Sequence, residues 1–179
     1  MKSLTHGLFD TFVFIFVFVF SCLVIASETI SPEDVVSNFY REYLNNHSGD
    51  SDAIVKKYVS DELIKSVSYA TMCNYDRYDL VSVSGLEQKC SQKHECRQYK
   101  WNYICKWYGI WIETDVDYFT KSQDTYPFRR LNIKSSIIAG DENDSLVGII
   151  LKGDYGTEVK LKASLKKHGG NWKITKVTE

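Results

Sequence analysis

The sequence predicts an α+β fold, and three observations predict it. Amphipathic helical stretches come first, alternating strands come last, and four cysteines with a dense aromatic run lie between. Helices followed by an antiparallel sheet place the helices on one sheet face. At 179 residues the chain suits one domain, and it holds no Pro/Gly-rich linker, repeat or low-complexity segment.

The first 26 residues read as an export signal. Lys2 and His6 form a polar lead, "TFVFIFVFVFSCLVIA" is the apolar run, and Val24 and Ala26 supply small residues before a cleavage site. "VFSC" loosely resembles a lipobox, which would lipidate Cys22, although Phe20 fits that pattern badly. A retained anchor is the third reading of the segment. Cleavage removes one Lys and one Asp, leaving the net charge near −1 and no global field for nucleic acid or anionic membrane. The expected location is the periplasm, or the envelope if Cys22 is lipidated. Residues 27–179 then form the single domain.

"SPEDVVSNFYREYL" opens a helix. Ser31 caps, Pro32 suits the first helical position, and Asp34 stands where a capping box needs its acid. Val35, Val36, Phe39, Tyr40, Tyr43 and Leu44 form its apolar stripe. Ile54, Val55, Tyr58 and Val59 form a second stripe, which Ser60 restarts as a new cap before Leu63, Ile64 and Val67. In the last third, Leu131, Ile133 and Ile137 begin one strand, and Val147, Ile149 and Leu151 form another. Val159, Leu161, Ala163 and Leu165 alternate, and "HGGN" turns the chain into Trp172, Ile174 and Val177. Val35, Phe39, Tyr43 and Leu44 are expected to meet Val147, Ile149, Leu161 and Trp172 in one core.

Cys73, Cys90, Cys96 and Cys105 are an even set in an exported chain and read as two disulfides. Their gaps of 16, five and eight residues do not suit paired zinc ligands, so no metal and no cofactor is expected. Of the three pairings, the nested one is favoured, Cys90 with Cys96 inside Cys73 with Cys105. Within this insertion, at about 73–111, Tyr99, Trp101, Tyr103, Cys105 and Trp107 alternate as one face of a strand. Helical spacing fits Tyr99, Tyr103, Trp107 and Trp111 as well. Trp101, Tyr103, Trp107, Tyr108 and Trp111 are the candidate partner-binding residues, since bound energy concentrates on such rings. Core packing is the competing reading.

No catalytic motif stands out: a G-x-S-x-G elbow, a phosphate-cradling glycine loop and an HExxH pair are all missing. His47, His94 and His168 read as solvated. Asp115 and Asp117 suit a pair of catalytic carboxylates, or more simply the cap of a helix beginning near Tyr118.

The leading "SPEDVVSNFYREYL", the central "DVDYFTKSQD" and the closing "VKLKASLKKHGGNWKITKV" resemble a bacterial exported family, domain of unknown function 3828. The resemblance covers 31–72 and 112–179 and implies a bent antiparallel sheet around helices, a cone like that of nuclear transport factor 2. It transfers no catalytic residue. These observations favour a non-enzymatic envelope module that binds a protein, one concrete form being an immunity protein that blocks a periplasmic toxin such as a type VI secretion cell-wall amidase. The alternative is a small-ligand carrier or enzyme using the interior of the cone. Nucleic acid is not an expected partner, and a membrane is one only through Cys22 or a retained N-terminal segment.

Overall fold

Ser31 starts the first helix as expected. Its Oγ accepts from the Asp34 amide at 3.2 Å and donates to the Asp34 carboxylate at 2.8 Å, with Pro32 in the first turn. The computed structural model describes residues 30–46, 51–74, 90, 94–123 and 132–179. The expected signal at 1–26 with Cys22, as well as His47 and Leu131, lies outside the described residues.

Among the described residues three helices lead: α1 (Pro32–Asn45), α2 (Ser51–Tyr58) and α3 (Asp61–Asn74). Ser60 caps α3, its Oγ accepting from the Leu63 amide at 3.3 Å. The break between α2 and α3 is fixed to the sheet, because Val59 bridges Ile174 and the Ser60 amide donates to the Ile174 carbonyl at 2.9 Å.

The α+β class holds, with helices packed on antiparallel sheets. Among the described residues the strands form two sheets in sequential order: β1 (Cys96–Tyr99), β2 (Asn102–Trp107) and β3 (Ile110–Glu113), then β4 (Asn132–Gly140), β5 (Asp144–Lys152), β6 (Glu158–His168) and β7 (Asn171–Thr178). Every pairing is antiparallel between sequence neighbours, which short turns permit. Gly169 and Gly170 both take positive φ (57° and 84°), the two-residue turn that matches strand twist, so "HGGN" turns as its sequence implies.

Alternation decides what each strand buries. Val147, Ile149 and Leu151 of β5, Leu161, Ala163 and Leu165 of β6, and Ile174 and Val177 of β7 are buried. Val35, Val36, Phe39 and Tyr40 of α1 complete that core, with Tyr43, Leu44 and Trp172 half-buried against it. Phe39 sits in an aromatic cluster, its centroid 5.0 Å from Phe119, 5.1 Å from Tyr40 and 5.2 Å from Tyr43. Burying one such ring contributes about 1.5–3 kcal/mol from area alone. The Tyr40 hydroxyl donates to the Phe119 carbonyl at 2.8 Å, and burial pushes its pKa well up. The Val177 amide donates to the Tyr118 hydroxyl at 3.1 Å. Residues 118 and 119 thus hold the β3 end of the small sheet to α1 on one side and β7 on the other.

The disulfides are Cys73–Cys90 and Cys96–Cys105, which corrects the nested expectation. The reason is the hairpin: Cys96 and Cys105 stand directly opposite across β1 and β2, with Cα atoms 4.1 Å apart, so they close on each other. Cys73, near the end of α3, is left for Cys90. Two disulfides are consistent with an oxidising compartment.

Candidate protein-binding surface

The aromatic run does not form one strand face, a second correction. Lys100 and Trp101 are a two-residue turn between Tyr99 and Asn102, and Lys100 takes φ 53° without being glycine. Past that turn the parity changes, so Tyr99 lies across from Asn102 and shares the sheet face opposite Tyr103. The strand reading of Asn102–Trp107 holds, and the helical alternative does not.

Trp101 projects from the turn and is 93% exposed, and Tyr103 beside it is 61% exposed. The turn is anchored from below. Lys100 pairs with the Glu179 carboxylate just past β7, and the Tyr99 hydroxyl donates to the same carboxylate at 3.3 Å. The Cys96–Cys105 bridge ties the other end of the hairpin. A large ring is therefore displayed on a hairpin fixed at both ends.

The remaining three rings lie elsewhere. Trp107 is 4% exposed, in the core with Cys105 and Ile112. His94 stacks on it at 3.7 Å, so this histidine is half-buried and not solvated as its neighbours in sequence implied. Trp111 lies across from Lys106 on the opposite face, with the Arg97 guanidinium 4.5 Å from its ring. Tyr108 occupies the β2–β3 turn, at the other end of β2 from Trp101, and is 56% exposed. Its φ of 47° and that of Gly109 (86°) make this the same turn class as "HGGN". Tyr69 at 5.1 Å and Lys65 at 4.4 Å flank its ring.

A cleft of about 760 Å³ opens between α2, α3 and residues 112–119, and Asp52, Glu113, Asp115 and Asp117 reach it. Asp117 is committed to structure. Its Oδ1 accepts from the Phe119 amide (2.9 Å), the Thr120 amide (2.8 Å) and the Thr120 hydroxyl (3.0 Å), and its Oδ2 accepts from the Tyr43 hydroxyl at 2.5 Å. The Tyr43 phenol is pushed up by burial and by that carboxylate. Capping is thus the role of Asp117, but of a single turn closed by the Lys121 amide on the Asp117 carbonyl (2.9 Å), where a helix was expected. Asp115 is exposed at φ 58° and takes no part. Burial brings the Lys121 ammonium down to about 8, with Glu113, Asp117 and Glu179 opposing the shift. Its Nζ lies 3.7 Å over the Tyr118 ring. Among the described residues no three His, Cys, Asp or Glu side chains are grouped to hold a metal ion. The Lys100–Glu179 tether and the burial of Lys121 had no sequence signal, since their partners are distant in the chain.

Taken as a class, this is an α+β domain whose second sheet displays aromatic side chains from disulfide-bridged strands. No protein-family model matches the chain, and no curated protein matches it either, so the resemblance to domain of unknown function 3828 rests on the quoted residues alone. Among solved structures, a chain in the crystal structure of the type VI native effector–immunity complex Tae3-Tai3 from Ralstonia pickettii is similar, at 17% identity and a TM-score of 0.46. The match covers 84% of this chain and 96% of that one. A likeness at that distance assigns no function.

Proposed function

We propose that this chain is a non-enzymatic, periplasmic protein-binding module of the bacterial envelope. In its narrower form it is an immunity protein that neutralises a toxin delivered into the periplasm, such as a type VI secretion cell-wall amidase. The observation that carries the reading is Trp101, a nearly fully exposed indole on a turn held by an ion pair and a disulfide. Such a ring stabilises nothing within the chain. On a partner it would bury about 150–250 Å² with little ordering cost, which is what makes a hot spot. Tyr103 extends the same surface, whereas Trp107 is not available to a partner. The narrower form draws support from the class of molecule: an export-like leader, two disulfides and a small stapled domain.

The cleft beside Asp115 and Asp117 favours the second reading, a small-ligand carrier or enzyme. Against it, the Asp117 carboxylate is already saturated with four donors. Binding of the oxidised protein to a type VI secretion cell-wall amidase separates the two. The expected result is inhibition of that amidase by the native protein. Trp101→Ala should then weaken binding about 30-fold, roughly 2 kcal/mol, with an unchanged melting temperature. An amidase left uninhibited would overturn the immunity form, and loss of function on Asp115→Asn with binding intact would overturn the module.

A further inference from the structure

The β4–β7 sheet has two faces, and the helices cover one. The registers align the other in ladders: Lys134 with Ile150 and Lys160, then Ser136 with Gly148, Lys162 and Thr178, then Leu146 with Ser164 and Lys176. Seven lysines (134, 152, 160, 162, 166, 173 and 176) stand there by register against two carboxylates, Glu158 and Asp144, and Lys173 at the edge donates to the Lys56 and Lys57 carbonyls. Those two carboxylates pair with Lys152, Lys160 and Lys166. Among the described residues Lys134, Lys162 and Lys176 have no carboxylate partner and are exposed. The chain as a whole is near −1, so the positive charge is a local asymmetry rather than a general property.

The middle of this face is apolar. Ile138, 54% exposed, lies over Gly148, where an added Cβ would come within 3.1 Å of the Ile138 Cδ1. The glycine lets the isoleucine settle between the half-exposed Leu146 and Ile150. An apolar centre inside a charged, solvated rim is the anatomy of a protein interface.

We propose that this outer face docks an acidic protein surface, with carboxylates meeting Lys134, Lys162 and Lys176 and aliphatic side chains meeting Ile138, Leu146 and Ile150. Charge complementarity speeds the encounter and selects against basic partners. A protein is favoured over a lipid surface because these ladders hold no Trp, Tyr or Phe, the residues that anchor proteins at the membrane interface. The face uses no residue of the Trp101 hairpin, so the inference stands apart from the function proposed above.

The test is amide chemical-shift mapping of the oxidised, isotope-labelled protein with three probes. These are a peptide alternating glutamate and leucine, an all-glutamate peptide of equal charge, and phosphatidylglycerol vesicles. Shifts are expected along β4–β7 with the alternating peptide. Changing Lys134, Lys162 and Lys176 to Gln should weaken it about tenfold, while changing Arg41, Lys56 and Lys57 to Gln on the helical layer costs less than about twofold. Ile138→Ala should weaken the alternating peptide and leave the all-glutamate peptide unchanged, and Trp101→Ala should affect neither. Equal losses in the two triple variants would mean that net charge alone attracts the peptide, and the inference falls. It falls equally if only vesicles shift these amides.

Discussion

Trp101 and Trp107 are six residues apart, and opposite outcomes are expected when each is replaced by Ala. Trp107 is 4% exposed, closes the core of the small sheet with Cys105 and Ile112, and carries His94 stacked at 3.7 Å. Removing a fully buried indole forfeits its transfer energy and leaves a cavity, together about 3–5 kcal/mol. Trp101, 93% exposed, has almost no burial to lose, so Trp101→Ala should stay within about 0.5 kcal/mol of native. For a chain of this size each kcal/mol shifts the midpoint by roughly 2–4 °C, so Trp107→Ala should melt about 6–20 °C lower. Trp107→Phe should recover most of the loss, because the indole Nε1 finds no hydrogen-bond partner among the described residues and only volume changes. Denaturant unfolding of the oxidised variants, followed by far-UV circular dichroism, reads both effects on one scale. A Trp107→Ala loss below about 1 kcal/mol, or a Trp101→Ala loss above it, would mean that the small sheet faces the other way.

Three further outcomes are expected. Mass spectrometry of the unreduced protein should return Cys73–Cys90 and Cys96–Cys105, and by the chain-entropy relation their removal should cost about 3 and about 2.5 kcal/mol; a Cys90–Cys96 peptide would refute the hairpin register. Asp117→Asn halves the acceptors for four donors and should destabilise by about 1–3 kcal/mol in a melt, whereas Asp115→Asn should be silent; equal effects would return the pair to candidate catalysis. Burial brings Lys121 to about 8 from an ordinary 10.5, so the folded protein holds fewer protons than the unfolded between those values. Stability should therefore rise with pH across that window. Tyr118, raised to about 12 by burial, acts in the opposite sense above pH 10. Lys121→Met should abolish the rise, and an unchanged rise in that variant would place its origin elsewhere.

The parts of the fold that obey local rules were legible in the sequence. Ser31 with Pro32 favours a helix start, Ser60 caps the next helix, and two glycines after His168 favour a tight turn. The helical stripe and the strand alternation identified the two halves of the main core because burial follows period. What was not legible depended on non-local pairing or on strained backbone. The Lys100–Trp101 turn has no Gly, Asn or Pro to announce it, so alternation ran straight through it and put Tyr99 and Tyr103 on one face. The disulfide pairing follows from that hairpin and is no more legible than the turn. His94 looked solvated between two cysteines because its shield, Trp107, arrives from another strand. In "VKLKASLKK" the apolar half of the alternation marks the strand, and the polar half, once placed in a sheet, is the basic face.

By the same alternation, stability and the proposed recognition are expected to be alterable independently in this chain. Along β2 the inward positions Cys105 and Trp107 attach the small sheet to the core, and the outward positions Ile104 and Lys106 lie on its other face. The turns at either end carry Trp101 and Tyr108, whose rings are largely outside the core. A substitution at a turn changes what a partner meets without opening a cavity, and one at an inward position does the reverse. On the main sheet, likewise, Leu161 and Ala163 hold the helices while Lys160 and Lys162, one residue away, face solvent. Both surfaces are therefore mounted on elements whose buried side is already fixed, the condition under which binding loses the least conformational entropy.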